Sequence, residues 1–266
     1  MQQTTPHLDR GPSGGLERHF TLPTIRQVPI GRPFTWLRLG WQDLRSNMSL
    51  SISYGVVFAL AGWSILLFTA PRPYLFTASI SGFMLIAPLL AAGLYEISRR
   101  HGQGLETHFP QSLEGWSYNG TSIALFGLLL ALIAIAWERV SAILFALLYG
   151  EGAPDLQSFV SEVFLSGAHW SFVIAYVVAG GVLAAIVFAM SAISAPMLVD
   201  RGVDIFTAVA TSLRAVRRNL PAMALWAALI VILIAIGFAT ALIGLIVLLP
   251  WVAHATWHAY RDLAQP

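Results

Sequence analysis

Long apolar runs with very few charged residues dominate this sequence. Five blocks rich in Ala, Leu, Ile, Val and Phe lie at residues 52–69, 74–97, 120–137, 170–199 and 222–253. A transmembrane helix needs roughly 17–25 apolar residues, so each block is long enough to cross a bilayer. Charged residues make up only 11% of the chain, whereas soluble proteins carry about a quarter. The sequence therefore predicts an all-α polytopic membrane protein and excludes an ordinary water-soluble enzyme.

The last apolar block is longer than one span requires. We expect it to form two short helices folded around residues 237–244, and the alternative is a single helix and five spans in total. The preferred prediction is a bundle of six transmembrane helices arranged as three hairpins. These spans lie at about residues 52–69, 74–97, 120–137, 170–195, 222–237 and 244–260. Residues 1–33 contain five prolines and no apolar run, which predicts a disordered cytoplasmic tail before a transmembrane domain at 34–263.

The basic residues indicate an orientation. All 15 are arginine, and cytoplasmic loops of membrane proteins collect positive charge. Six spans with a cytoplasmic N-terminus place 13 of the 15 arginines inside and leave only Arg72 and Arg139 outside. We therefore expect both termini in the cytoplasm. A five-span chain would move only Arg261, so charge alone does not separate the two counts.

The chain contains a threefold internal repeat. Each unit has an apolar-periodic segment, an asparagine (Asn47, Asn119 or Asn219) and then an outgoing span. Each returning span contains a proline, and these are Pro88, Pro196 and Pro250. Proline removes one helical hydrogen bond, so we expect kinks at these positions.

The segments before the asparagines are predicted to form amphipathic helices that lie on the inner membrane surface. The first has an apolar stripe of Phe34, Leu37, Trp41, Leu44 and Met48, and the third has one of Val203, Phe206, Ala210, Leu213 and Val216. Arginines on such helices meet anionic lipid headgroups. The predicted headgroup contacts are Arg38, Arg45, Arg214, Arg217 and Arg218. The alternative is that these helices only support the hairpins, while nucleic-acid binding is excluded because aromatic residues do not alternate with the arginines.

Small residues recur every four positions on two returning spans, for example Gly181 and Ala185. This spacing lets helix backbones approach closely in lipid. It favours a packed bundle, and it would equally suit a helix of a partner subunit.

Catalytic motifs are absent, and so is cysteine, which excludes thiol nucleophiles and cysteine-ligated metals. The densest polar group is predicted at the cytoplasmic ends of the returning spans. Its members are Glu96, Asp200, His254 and His258. Two histidines four residues apart share a helix face, so a metal or haem-edge site and a proton relay are both open. The preferred alternative is an interfacial belt with Trp257 and Tyr260, and no cofactor is predicted.

Four segments resemble a known family. They are WERVSAILFAL at 137–147, SAPMLVDR at 194–201, SLRAVRRN at 212–219 and HATWHAYRDL at 254–263. Together they are similar to the domain of unknown function 2189, a family of predicted bacterial integral membrane proteins. The similarity extends over roughly residues 35–263. Some relatives carry the label of a cytochrome c oxidase subunit, but the family has no established activity, and the resemblance implies only an inner-membrane location and this topology.

Three functions follow as hypotheses. The first is a non-enzymatic accessory or assembly component of a membrane complex, in contact with lipid and with other membrane subunits. The second is a transporter or channel for a small solute, because repeated units with proline-broken helices are common in transporters. The third is a haem- or metal-associated subunit of a respiratory oxidase.

Overall fold

The computed structural model describes residues 23–69, 72–150, 163 and 169–265, and the structure of these residues is all-α apart from one two-stranded ribbon. The first half contains α1 (Arg32–Ser46), α2 (Met48–Thr69), α3 (Pro73–Leu90), α4 (Ala92–Gly102), α5 (Phe109–Ser112), α6 (Glu114–Ser117) and α7 (Gly120–Leu144). The second half contains α8 (Trp170–Ser191), α9 (Ser194–Asp200), α10 (Ile205–Arg218), α11 (Leu220–Ala239) and α12 (Leu245–Leu263).

Four helical segments of the described residues are long and apolar enough to cross a membrane. They are Met48–Thr69, Gly120–Tyr149, Trp170–Asp200 and Leu220–Ala239. The other two predicted spans are also helical, as α3 with α4 and as α12, but they are not among these four. The last apolar block divides into α11 and α12 at a turn, as predicted for residues 237–244.

The third predicted span extends beyond its expected end at residue 137. Helix α7 runs through Glu138 and Arg139, which pair at 3.0 Å, and continues as a π-helical turn over Phe145–Tyr149. The side chain of Arg139 is 76% exposed. The guanidinium therefore projects away from the bundle and is not buried inside it.

The second halves of the returning helices form the core. Every residue of 92–98 in α4 and of 194–199 in α9 is buried, and α12 is buried at most positions from Val252 to Tyr260. The first two returning helices are interrupted near their prolines, at Ala91 and at Ala192–Ile193, whereas α12 stays continuous through Pro250. Small side chains make the close packing possible. A Cβ added to Gly40 of α1, for example, would lie 2.5 Å from the backbone nitrogen of Ala255 in α12.

The three repeat asparagines adopt one backbone conformation. Their φ and ψ angles are −124° and 42° for Asn47, −132° and 48° for Asn119, and −125° and 35° for Asn219. Each asparagine lies between a short or surface helix and the apolar helix that follows. The sequence repeat is therefore also a structural repeat at these joints.

Two of these asparagines also connect neighbouring units. The Asn119 amide donates to the carbonyl oxygens of Arg201 (3.2 Å) and Val203 (2.7 Å), just before the surface helix of the third unit. The Asn219 amide donates to the Arg26 carbonyl at 3.0 Å and accepts from the Val28 N–H at 2.8 Å, just before the surface helix of the first unit. The second unit is thus tied to the third, and the third to the first.

Residues 23–33, which the sequence assigned to the disordered tail, belong to the folded structure. Strand β1 (Thr24–Ile25) pairs antiparallel with β2 (Ala264–Gln265), next to the end of α12. Asp262 holds the same segment, because it accepts hydrogen bonds from Arg26 (2.9 Å) and Arg32 (2.5 Å). The prediction of a tail over 1–33 is therefore wrong for this part, since long-range pairing supplies the partners that the local sequence lacks. Residues 1–22 of the predicted tail lie outside the described residues.

Candidate functional site

His254 lies at the centre of a buried polar network. Its side chain is fully buried, and its Nδ1 and Nε2 atoms lie 2.7 Å from Ser98 Oγ and 2.9 Å from Ser51 Oγ. Ser98 donates its only hydroxyl hydrogen to Asp43 Oδ2 at 2.6 Å, so it must accept the hydrogen bond from His254. This places the ring proton on Nδ1 and makes Ser51 the donor to Nε2. A chain of donors therefore runs from Ser51 through His254 and Ser98 to the carboxylate of Asp43.

Asp43 collects a second hydrogen bond, from His258. The Nε2 atom of His258 lies 2.9 Å from Asp43 Oδ2, and His101 Nε2 lies 3.8 Å from Asp43 Oδ1. Burial by itself would raise the pKa of the Asp43 carboxyl. The hydrogen bonds from His258 and Ser98, together with the electrostatic influence of His258 and His254, outweigh that effect and lower the pKa. Asp43 is therefore an ionised carboxylate inside the protein, and we call Asp43, Ser51, Ser98, His254 and His258 the Asp43 cluster.

The cluster joins four helices that are distant in sequence. Asp43 comes from α1, Ser51 from α2, Ser98 from α4, and the two histidines from one face of α12. Histidines at positions i and i+4 face the same neighbours, which explains why both reach the region around Asp43. This arrangement can hold the four helices in register.

The two predicted carboxylates, Glu96 and Asp200, are engaged elsewhere. Glu96 is 1% exposed and accepts two hydrogen bonds of 2.7 Å from Arg99. Asp200 accepts from Tyr260 at 2.6 Å and from Arg261 at 3.2 Å. The prediction that one of these carboxylates joins His254 and His258 is therefore not what the structure has, because Asp43 occupies that place. Among the described residues, no group of three or more His, Asp or Glu side chains is placed to hold a metal ion.

The interfacial belt predicted around the histidines is also not observed. Trp257 is 4% exposed, and His254 and Tyr260 are fully buried. These side chains face the core because α12 packs along α1, α2 and α4. The end of α12 is therefore an internal structural element.

Asp204, four residues after Asp200, has a local role. It precedes α10, and its carboxylate accepts hydrogen bonds from the Thr207 N–H (2.9 Å) and the Thr207 hydroxyl (2.6 Å). Partial burial would raise the pKa of Asp204, but these hydrogen bonds outweigh it and lower the pKa. Asp204 is an N-cap of α10.

Asp43 is the residue that the sequence analysis missed. The buried positions of α1 include Trp36, Gly40 and Asp43, which are spaced i, i+4 and i+7 and so lie on one helix face. Asp43 shares a helix face with Leu37 and Leu44, and a carboxylate on such an apolar face is visible in the sequence as a candidate buried polar group. The predicted apolar stripe instead includes Phe34 and Trp41, and the structure leaves both side chains exposed.

Tight helix packing next to Ser51 limits the chemistry that the Asp43 cluster can perform. The donor chain ends at Ser51, one turn before Gly55, and a Cβ on Gly55 would overlap the backbone of Ile246 in α12. His258 of the cluster and the neighbouring His101 are partly exposed, with 22% and 42% of their side chains accessible. The cluster is therefore open to its surroundings at the His258 end, while the packed helices beyond Ser51 offer no continuation.

Comparison with known proteins gives one match. Residues 75–200, somewhat less than half of the chain, match a family described as predicted integral membrane protein (DUF2189). The resemblance inferred from the sequence is confirmed over these residues, which extend from α3 to the end of α9. No curated protein and no solved structure matches the chain.

Proposed function

We propose that this chain, an integral membrane protein with several apolar helices, is a non-enzymatic accessory or assembly component of a membrane complex. We place it in the inner membrane of a bacterium, with six spans in three hairpins and both termini in the cytoplasm. The observation that carries the proposal is the exposed surface of α8.

Helix α8 belongs to the candidate span whose most apolar residues are the least buried by the rest of the protein. Within its most apolar 18-residue window, only 11% of the segment Trp170–Asp200 is buried in the protein, against 22% to 33% for the corresponding windows of the other three candidate spans. Its residues Ile174, Val177, Val178 and Val182 are 58% to 65% exposed. We propose that this face contacts an apolar transmembrane helix of a partner subunit.

The small residues of α8 divide between two roles. A Cβ on Gly180 would lie 3.2 Å from Trp137, so this glycine packs inside the protein. A Cβ on Gly181 would meet nothing within 4 Å, and Ala185, one turn later, is also exposed. Small residues one turn apart let two helices pack closely in lipid, which supports a helical partner at Gly181 and Ala185.

The state of the reactive side chains supports a non-enzymatic role. Ser51 and Ser98 are buried and each forms a hydrogen bond with the buried His254, and Glu96 is buried against Arg99. The Asp43 cluster also lies at one end of the helices, whereas transporter sites lie near the membrane midplane. These observations favour an accessory component over an enzyme or a coupled transporter.

Site-specific photo-crosslinking in native membranes tests the proposal. A photoreactive residue at Ala185 should give one discrete adduct with another membrane protein. The matched control is the same residue at Ile232, which is 54% exposed on α11 and should give lipid adducts alone. Lipid adducts alone at Ala185, or adducts with a second copy of this chain alone, would overturn the proposal.

The topology is tested separately with C-terminal reporters. Alkaline phosphatase fused after residue 265 should be inactive, and a fluorescent protein at the same site should fluoresce. The opposite pair of results would contradict six spans and a cytoplasmic C-terminus.

A further inference from the structure

Two of the repeat units expose an equivalent apolar ridge. In the first unit the ridge is Phe34, Trp41 and Met48, which are 58%, 38% and 52% exposed. In the third unit it is Phe206, Leu213 and Leu220, which are 82%, 45% and 59% exposed. Counted from Asn47 and from Asn219, the three residues occupy the same positions. We call these two sets the apolar ridges.

Each ridge continues into the outward surface of the apolar helix that follows it. From Leu220 the exposed side recurs every four residues at Ala224, Ala228 and Ile232 of α11. From Met48 it continues to Val56 and Leu60 of α2. The outward surface of a candidate transmembrane helix faces acyl chains, so a ridge in line with it faces the same lipid.

Arginines lie beside both ridges. At 100° of helical rotation per residue, Arg38 and Arg45 lie within about 40° of Phe34, and Arg217 lies about 20° from Phe206. Arg214 and Arg218 follow farther around α10, at about 80° and 120° from Phe206. A basic row next to an apolar row is the arrangement of a helix lying in a membrane interface.

These arginines differ from the others in their pairing. Within the part of the chain that the structure describes, Arg38, Arg45, Arg214, Arg217 and Arg218 are exposed and have neither an ion-pair nor a hydrogen-bond partner. By contrast, the other arginines described at this end pair with Asp262, Glu96 or Asp200, and they are Arg26, Arg32, Arg99, Arg100, Arg201 and Arg261. The five unpaired charges are therefore available to a ligand.

We propose that the two ridges with their arginines form two binding sites for anionic phospholipids of one leaflet. The ridge residues insert beside the upper acyl chains, and the guanidinium groups bind the headgroup phosphates. The middle unit has Glu106 and Gly120 at the positions of Phe34 and Met48. An acidic residue repels the headgroup and glycine inserts nothing, so the chain has two such sites rather than three.

Native mass spectrometry of the full-length protein in mild detergent tests this assignment. With added phosphatidylglycerol the wild type should retain two lipids, and with phosphatidylcholine at least fivefold less. R214Q/R217Q/R218Q should lose one of the two retained lipids, and R38Q/R45Q should lose the other. The matched control is R72Q, an exposed arginine between α2 and α3 at the opposite end of these helices.

Lysine substitutions separate charge from folding. R214K/R217K/R218K should retain phosphatidylglycerol almost as well as the wild type, because lysine keeps the positive charge. Equal retention by the glutamine variant and the wild type would overturn the proposal. So would equal retention of the two lipids by the wild type, or displacement of phosphatidylglycerol by an equimolar RNA oligonucleotide.

Spin labels test the orientation independently of affinity. In reconstituted vesicles, a label at position 206 should be more accessible to oxygen dissolved in the acyl region, and a label at position 218 more accessible to an aqueous nickel complex. The reverse order would place the ridge in water and overturn the lipid sites.

Discussion

Asp43 and His258 are 215 residues apart in the sequence, yet the Nε2 atom of His258 lies 2.9 Å from Asp43 Oδ2. This hydrogen bond ties the first surface helix to the last helix of the chain. Its acceptor oxygen also receives the hydrogen bond of Ser98. One carboxylate oxygen thus connects α1, α4 and α12.

Replacing Asp43 by Asn should destabilise the protein by about 1–3 kcal/mol, since it leaves a buried hydrogen-bond donor of the cluster without its acceptor. The amide has one acceptor oxygen, while its NH2 group would face donors. Thermal unfolding in detergent measures the effect as a lowered Tm. E106Q is the control, because Glu106 is exposed and exposed substitutions usually change stability by less than about 0.5 kcal/mol. Equal Tm values for D43N and E106Q would show that the Asp43 cluster does not hold the helices together.

Replacing Gly40 by Ala should also be costly, by about 1–3 kcal/mol. The new Cβ would lie 2.5 Å from the Ala255 backbone nitrogen, so α1 would have to move away from α12. Gly31→Ala is the matched control, since a Cβ there meets nothing within 4 Å. The readout is the same unfolding measurement, and the prediction fails if the two variants melt together.

Stability should fall in acid because of Asp43 and Asp262. Burial would raise the pKa of Asp262, but hydrogen bonds from Arg32 and Trp36 and the charges of Arg32 and Arg26 outweigh it and lower the pKa. A carboxyl whose folded pKa lies below the unfolded value of about 3.9 stabilises the fold above that pH and loses this contribution as the pH falls through the folded pKa. D262N should therefore melt below the wild type at pH 7, and the gap should shrink toward pH 3. A constant gap between pH 7 and pH 3 would refute this linkage.

Replacing Asn219 by Ala should release the segment that precedes α1. The variant loses the acceptor of the Val28 N–H and the donor to the Arg26 carbonyl. A net loss of about 1 kcal/mol per hydrogen bond predicts roughly fivefold or faster amide exchange. Hydrogen–deuterium exchange at Val28 measures it. Asn47→Ala serves as the control, because the Asn47 side chain bonds within its own helix, to the Asp43 carbonyl, and unchanged exchange in N219A would contradict the proposed tie.

Much of the helical architecture could be predicted from the sequence. The six apolar segments are all helical, the last block does divide near residue 240, and the repeat asparagines do mark equivalent joints. These features depend on local properties, namely hydropathy, periodicity and turn-forming residues. The site was predicted only in part. His254 and His258 do share a polar cluster, but Glu96 and Asp200, the two carboxylates predicted to lie with them, bond to other residues.

The difference has a geometric reason. The sequence predicts a kink at each of the three prolines, whereas α12 remains continuous and the other two returning helices are interrupted at Ala91 and Ala192–Ile193. Equal offsets from the prolines therefore do not correspond to equal positions in space. Asp43 was overlooked because the arginine-bearing face of α1 and its packed face are both partly apolar.

The amino-acid sequence by itself determined that this chain enters a membrane as helices, where the helices lie and where the arginines collect, because each of these depends on a few consecutive residues. The tertiary structure alone decided which carboxylate meets which histidine and which arginines stay unpaired. Such choices depend on side chains from helices up to 215 residues apart. Only the packing of α1 against α12 brings Asp43 to His258 and turns the ridge of Phe34 and Trp41 outward.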